Sequence, residues 1–220
     1  PHSAHDLHHG YLTGEGAVEG VPRVPDEIAG REEFVQWING YDTGISYMDA
    51  YVGRLLEQLE AAGVFEETLV VVSADHGENQ GELNVYGDHQ TADEYTCNVP
   101  LLVRGPGVET GVDRGLHYNV DLAPTLLELA GVDAPAGWDG RSFAPSVTEG
   151  ADTGRDTLVL GQGTWACQRA ARWDDYLLLR TYHDGYKAFD PVELYDLGED
   201  PHETTNLAEE RPDLVTEGTA

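Results

Sequence analysis

The chain has 220 residues, with 41 Asp or Glu against 12 Lys or Arg, and a formal net charge of −29. A surface this acidic repels nucleic acids and anionic membranes, which proteins bind through clustered Lys and Arg, so we expect neither as a partner. Since 40% of the residues are hydrophobic, the chain is expected to fold. Acidity with a single lysine indicates a halophilic protein, with an ordinary acidic protein as the alternative.

The first predicted elements alternate between helix and strand. Apolar residues recur at intervals of three and four over residues 41–59, which predicts a helix. Residues 68–73 are a continuous β-branched and apolar run, typical of a strand buried on both faces of a parallel sheet. Residues 99–103 predict a second strand, and residues 119–130 a second helix. This alternation indicates the α/β class.

The rest of the chain has a different pattern. A stretch rich in Gly, Pro and Asp, residues 131–155, is followed by short apolar runs separated by turn residues up to residue 196. Such runs predict a small antiparallel sheet. The predicted organisation is therefore part of a mixed sheet flanked by helices in residues 1–150, and a small antiparallel sheet subdomain in residues 151–220.

The strongest chemical signal is the sequence SADHGE at residues 73–78, directly after the first predicted strand. Loops at the carboxyl ends of strands present polar groups on a rigid frame. Asp75 and His76 offer one hard and one borderline ligand for a divalent cation, and Gly77 allows a sharp turn. From the residues alone, metal binding, acid–base chemistry and a purely structural turn all remain open.

A second polar cluster, YGDHQT at residues 86–91, precedes the second predicted strand. A loop in this place can fold back over the end of the neighbouring strand. His89 is a candidate general acid or anion contact, because an imidazole gains or loses a proton near neutral pH. A solvent-exposed loop histidine is the alternative.

Ordered motifs extend over most of residues 35–210. They are YDTGISYMD at 41–49, VGRLL at 52–56, TLVVVSADHGE at 68–78, NVPLLVRGPG at 98–107, DLAPTLLELAG at 121–131, and ELYDL at 193–197 followed by DP at 200–201 and TNL at 205–207. Together they resemble the carboxyl-terminal half of an arylsulfatase-like enzyme, a sulfatase of the alkaline phosphatase superfamily. The motifs are specific for the family and not for a substrate.

The resemblance implies roles for individual residues. Asp75 and His76 match the pair that completes a divalent-metal site, which implies calcium, with manganese as an alternative. His89 falls where relatives place a Lys or His that contacts the sulfate and helps the leaving group depart. His2, in a Pro-His pair, matches a histidine that faces the ester oxygen. The implied reaction is hydrolysis of a sulfate ester in a sulfated small molecule or a sulfated glycan, with charge on the sulfuryl group stabilised electrostatically.

The nucleophile implied by the resemblance is not found in this chain. It is a formylglycine made from Cys or Ser in a Cys-x-Pro-x-Arg type of motif, and neither Cys97 nor Cys167 begins such a motif. We therefore expect the formylglycine outside this chain, and expect the chain to be a fragment without sulfatase turnover of its own. The alternatives are a phosphodiesterase or phosphonate monoester hydrolase of the same superfamily, and a noncatalytic binding module.

Overall fold

The computed structural model describes residues 28–185 and 187–220, and the chain divides into two compact units at Thr68. In the first unit, helix α1 (Arg31–Ala61) is followed by a short 3-10 turn, Phe65–Glu67. The predicted helix is confirmed, and it begins ten residues before the expected start. In the described residues, no helix combines the length and apolar character needed to cross a membrane.

The second unit begins with short strands connected by loops. Its first elements are β1 (Val70–Ser73), β2 (Asn79–Gln80), β3 (Tyr86–Asp88), α2 (Glu94–Cys97) and β4 (Leu101–Arg104). β1 pairs with β4, and β2 pairs with β3, in both cases antiparallel. The loops between β1 and β4 carry both polar clusters identified in the sequence.

The pairing of β1 differs from the expected strand of a parallel sheet buried on both faces. β1 runs antiparallel to β4, and Val72 and Leu102 are 39% and 62% exposed among the described residues. An apolar run indicates that a strand can bury both faces. It carries no information on the direction of the neighbouring strand, which depends on how the chain returns to the sheet.

Helices α3 (Leu122–Leu129) and α4 (Ala144–Glu149) follow β4, and a buried carboxylate anchors the first of them. Asp121 accepts hydrogen bonds from the guanidinium group of Arg155 and from the backbone N–H groups of Tyr118 and Arg141, at 2.8 and 2.7 Å. Burial alone would raise the pKa of Asp121, but these hydrogen bonds hold it below its ordinary value. The pair thus neutralises a charge that would be costly to bury alone.

The carboxyl-terminal part forms the predicted antiparallel sheet, which is confirmed with one additional strand. Its strands pair in the order β5 (Thr157–Gln162), β6 (Cys167–Trp173), β7 (Tyr176–His183) and β8 (Val192–Asp196). The sequence reasoning missed β6 because its residues, CQRAARW, are mostly Gln, Ala and Arg, which favour helices.

The two faces of this four-stranded sheet pack against different parts of the second unit. The inner face carries Leu177 and packs against Ala92, in the loop between β3 and α2. The outer face carries Leu178 and packs against Leu214 of helix α5 (Pro212–Glu217). Each fully buried leucine contributes about 1.5–3 kcal/mol, so both layers hold the sheet in place.

Buried acidic side chains also lie near the inner face. Asp93, Glu193 and Glu203 are all less than a tenth exposed. The Oε1 atom of Glu203 accepts the backbone N–H of Glu94 at 2.9 Å, whereas its buried Oε2 atom has no hydrogen-bond partner in the described part of the chain. Burial, and then the negative charge of Asp93, raise the pKa of Glu203 from 4.5 to about 8.

Replacing Glu203 with Gln should flatten the pH dependence of unfolding. Because the pKa of Glu203 is higher in the folded chain, its contribution to stability is complete below 4.5 and is lost as the pH rises through about 8. The Glu203→Gln side chain keeps an oxygen for the N–H of Glu94 and cannot ionise. We expect its free energy of unfolding, from urea titrations between about pH 5 and about pH 9, to fall less with pH than that of the unaltered chain.

The matched control is Glu209→Gln, because Glu209 is exposed and its replacement removes the same formal charge. We expect the pH dependence of this control to follow the unaltered chain. Equal slopes for the Glu203 and Glu209 variants would contradict the assignment of the pH dependence to buried Glu203.

Candidate functional site

The loop after β1 turns sharply against α2. The backbone N–H of Gly77 donates to the carbonyl of Thr96 at 2.8 Å, at the carboxyl-terminal end of α2. A Cβ atom at position 77 would lie only 1.8 Å from the carbonyl oxygen of Tyr95. Since a backbone atom cannot move aside as a flexible side chain does, this close approach requires glycine.

The turn brings two histidines together from different loops. The rings of His76 and His89 stack, with their centroids 3.8 Å apart and an angle of 26° between their planes. The Nδ1 atom of His76 lies 2.8 Å from the carbonyl oxygen of Gly77, which makes this nitrogen the donor and leaves Nε2 available as a ligand. The sequence-predicted residues His76 and His89 are therefore neighbours.

A carboxylate that the sequence reasoning did not assign completes this cluster. The Oε2 atom of Glu78 lies 3.3 Å from Nδ1 of His89, and the Glu78 side chain is only 6% exposed. Burial raises the pKa of Glu78, although the hydrogen bond from His89 and the nearby imidazoles oppose this shift. Its position in the same SADHGE sequence as His76 was the available signal.

The cluster of His76, Glu78 and His89 has donor atoms suited to a divalent cation. One ligand atom from each of these side chains lies within 4.8 Å of the others, and in the described part of the chain no other group of His, Cys, Asp and Glu side chains meets this condition. Imidazole nitrogens combined with a carboxylate suit first-row transition metals. Calcium instead takes six to eight oxygen ligands.

Asp75 and His2 are the other two residues predicted from the sequence. The side chain of Asp75 is 81% exposed, and its Oδ1 atom lies 3.9 Å from Nε2 of His76. The structure thus places Asp75 at the edge of the histidine cluster and not within it. His2 lies outside the described residues. The assignment of Asp75 as a metal ligand stays a prediction, as does the role of His2.

The backbone of His89 is held from two sides. Its N–H donates to Oδ1 of Asp88 at 2.8 Å, and its carbonyl accepts a hydrogen bond from Nε2 of Gln162 at 2.8 Å. Farther along the same loop, the N–H of Ala92 donates to Oε1 of Gln168 at 2.9 Å. Because Gln162 is on β5 and Gln168 on β6, the inner face of the carboxyl-terminal sheet positions the loop that carries His89.

A buried network joins the two ends of the site loops. The Nδ2 atom of Asn79 donates to Oδ2 of Asp93 at 2.5 Å, and Thr91 donates to Oδ1 of the same carboxylate at 2.8 Å. Thr96 donates to Oδ1 of Asn79 at 2.8 Å. All four side chains are at most 5% exposed, so their hydrogen bonds are shielded from competing water.

The amino-acid sequence matches two family models. The model described as Sulfatase matches residues 2–132, and the model described as N-sulphoglucosamine sulphohydrolase, C-terminal, matches residues 81–216. Choline-sulfatase of Rhizobium meliloti is 33% identical over 174 residues, an alignment that covers 77% of this chain and 32% of the relative. The chain therefore spans about a third of the length of this relative.

Solved structures share the fold. One, in complex with its substrate D-glucosamine-2-N,6-O-disulfate, superposes with a TM-score of 0.72 at 25% identity, covering 86% of this chain and 40% of that one. A phosphonate monoester hydrolase from Silicibacter pomeroyi superposes with a TM-score of 0.71 at 24% identity, and the match covers 98% of this chain and 46% of that one. The second likeness shows the fold alone. The solved structures and the strand order of this chain confirm an α/β fold of the alkaline phosphatase type with a small carboxyl-terminal antiparallel sheet.

Replacing Gly77 with Ala should destabilise the second unit. The added Cβ would collide with the carbonyl of Tyr95, and overpacking of this kind costs about 1–3 kcal/mol. The control is Gly163→Ala, because no atom lies within 4 Å of a Cβ at position 163. Urea unfolding followed by tryptophan fluorescence should show a lower midpoint for the Gly77 variant only. Equal midpoints for the two variants would contradict the steric account.

Proposed function

The chain belongs to the sulfatase family, and we propose that it forms the carboxyl-terminal part of a metal-dependent sulfate ester hydrolase. The observation that carries this proposal is the meeting of His76, Glu78 and His89 in the loops after β1 and β3. Sulfuryl transfer requires positive charge close to the transferring group, as phosphoryl transfer does. A cluster able to hold a cation beside a protonatable imidazole supplies that requirement.

We assign the metal to Nε2 of His76 and the carboxylate of Glu78, with Asp75 as a further ligand from the same loop. A divalent cation bound there would act as a Lewis acid toward an oxygen of the sulfuryl group. Manganese is suited by carboxylate ligands, so Glu78 and Asp75 fit it. Calcium would need further oxygen ligands besides Glu78 and Asp75.

We assign proton transfer to His89. Its Nδ1 atom faces Glu78 at 3.3 Å, so that Nε2 is left to contact the sulfate and to donate a proton to the leaving oxygen. The hydrogen bonds from Gln162 and to Asp88 hold its backbone, and they limit the reorientation needed during reaction. His2 is proposed to face the same ester oxygen.

The nucleophile is proposed to be a formylglycine outside this chain, because neither Cys97 nor Cys167 lies in a suitable motif. Burial raises the pKa of Cys97 to about 12, which keeps this thiol protonated and unreactive at neutral pH.

The proposed substrates are small sulfate esters, including aryl sulfates, or sulfated glycans. Similarity to a choline-sulfatase and to a structure holding a disulfated glucosamine supports this range. The net charge of −29 supports a halophilic source.

A phosphonate monoester hydrolase is the second candidate, since a solved enzyme of this type shares the fold. The sequence preceding this chain would separate the two functions: a Cys-x-Pro-x-Arg motif supports the sulfatase, whereas a threonine or serine outside such a motif supports phosphoryl chemistry. A modifiable cysteine in that segment would also argue against a noncatalytic binding module.

Manganese binding should depend more strongly on His76 and Glu78 than on His89. Removing a ligand costs at least about tenfold in affinity, so His76→Ala and Glu78→Gln should each weaken binding by that factor or more. His89→Ala should weaken binding less than either of these changes, because we assign His89 to the substrate and it acts on the metal site only through its hydrogen bond to Glu78. Isothermal titration of the 220-residue chain with Mn²⁺, and separately with Ca²⁺, measures these affinities.

The matched control for the histidine variants is His183→Ala, since His183 is an exposed histidine on β7. If His89→Ala weakens Mn²⁺ binding as much as His76→Ala does, His89 is a metal ligand and its assignment as proton donor is wrong. Unchanged binding in the His76 and Glu78 variants would contradict the metal site.

The 220-residue chain alone should not turn over an aryl sulfate. The proposed nucleophile lies outside this chain. Without a nucleophile, electrostatic stabilisation cannot form the covalent intermediate that the proposed reaction requires. The measurement is release of the aryl alcohol in the presence of Ca²⁺ or Mn²⁺. Sustained release by the purified chain would contradict the placement of the nucleophile.

A further inference from the structure

A groove on the outer face of the carboxyl-terminal sheet is not used by the proposed reaction. It lies beside α5 and has a volume of about 430 Å³. Its lining includes Val159, Arg169, Trp173, Arg180, Tyr182 and Glu217. The hydrogen bonds that support His89 come from the inner face, so the groove and the candidate reaction site lie on opposite faces of this sheet.

Two arginines stand side by side in this groove. Arg169 on β6 is directly opposite Arg180 on β7, and both are exposed. Like charges directly opposite in an antiparallel pair destabilise a sheet. The arrangement is notable in a chain with one lysine and eleven arginines, because two of the few cations occupy one cross-strand pair.

The pair is not neutralised by acidic side chains of the described residues. Among residues 28–185 and 187–220, no ion pair is formed by Arg169 or Arg180, although Glu217 also lines the groove. Other arginines of the described part do pair with a carboxylate, among them Arg155, Arg172 and Arg211. In a chain with 41 acidic residues, an arginine pair without an acidic partner leaves its hydrogen-bond donors available to a ligand.

Glycine backbone, an aromatic ring and an apolar side chain border the arginine pair. Gly161 on β5 is opposite Arg169, and Nη1 of Arg169 lies 3.9 Å from the position that a Cβ of Gly161 would take, so the guanidinium lies over bare backbone. Tyr182 is 62% exposed, with its ring centroid 5.8 Å from the guanidinium carbon of Arg180. Val159, 59% exposed, lies in the same groove.

We propose that this groove binds a sulfated sugar unit. The guanidinium groups of Arg169 and Arg180 would hold the sulfate oxygens, because the planar donors of arginine match an oxyanion and its charge strengthens each hydrogen bond. Tyr182 would pack against the apolar face of the sugar ring, as aromatic rings with an exposed face can. The site binds without cleaving, and it is separate from the metal-dependent reaction proposed above.

The test is isothermal titration of the 220-residue chain with N-acetylglucosamine 6-sulfate, without added metal and at the lowest salt concentration at which circular dichroism shows the chain folded, because salt screens exposed charges. Arg169→Gln and Arg180→Gln should each weaken binding by about tenfold, the effect of losing a charge-assisted hydrogen bond. The control is Arg114→Gln, which removes the same charge from an exposed loop outside the groove and should leave the affinity unchanged. N-acetylglucosamine without sulfate should not bind measurably.

Four results would overturn the proposal. They are no binding of the sulfated sugar, equal affinity in the double Arg169→Gln and Arg180→Gln variant, inorganic sulfate binding as tightly as the sulfated sugar, and loss of binding in His89→Ala. The last result would place the ligand at the candidate reaction site. Thermal unfolding by circular dichroism should show no loss of stability in the two groove variants, because each relieves repulsion between like charges.

Discussion

The hydrogen-bond network around Asn79 is the constraint on which the candidate site depends. Its four side chains join the strand after the Gly77 turn to the loop before α2, and all four are at most 5% exposed. The carbonyl of Tyr95 is thereby kept against Gly77, and the polar loop that carries His89 is closed over His76. The site is formed from loops, and buried hydrogen bonds connect those loops to one another.

The two faces of the carboxyl-terminal sheet have different contacts, and only the inner face helps to position the site loops. Its inner face holds the His89 loop through Gln162 and Gln168, whereas its outer face buries leucines under α5 and leaves two arginines exposed. Since successive side chains of a strand point to opposite faces, one short sheet can position a reaction site and present an independent binding surface. The faces differ because only the inner one is in contact with the site loops.

Electrostatics in this acidic chain depend on where a charge lies and not on the total. Most carboxylates are solvated, but Asp121 is buried and neutralised by Arg155, while Glu203 is buried beside other acids and has a raised pKa. The first arrangement stabilises the chain at neutral pH, and the second opposes folding as the pH rises. The candidate metal cluster contains Glu78, which is a buried carboxylate. The net charge of −29 does not distinguish buried carboxylates from exposed ones.

The sequence by itself determined the helix and strand periods, the carboxyl-terminal sheet and the sharp turn at Gly77, because these follow from local patterns of apolar residues and glycine. It indicated His76 and His89 separately. Only the tertiary structure stacked these two rings, placed Glu78 beside His89, left Asp75 at the edge, and set β1 antiparallel to β4. Contacts between distant segments depend on strand pairing and loop closure, which a local pattern does not contain.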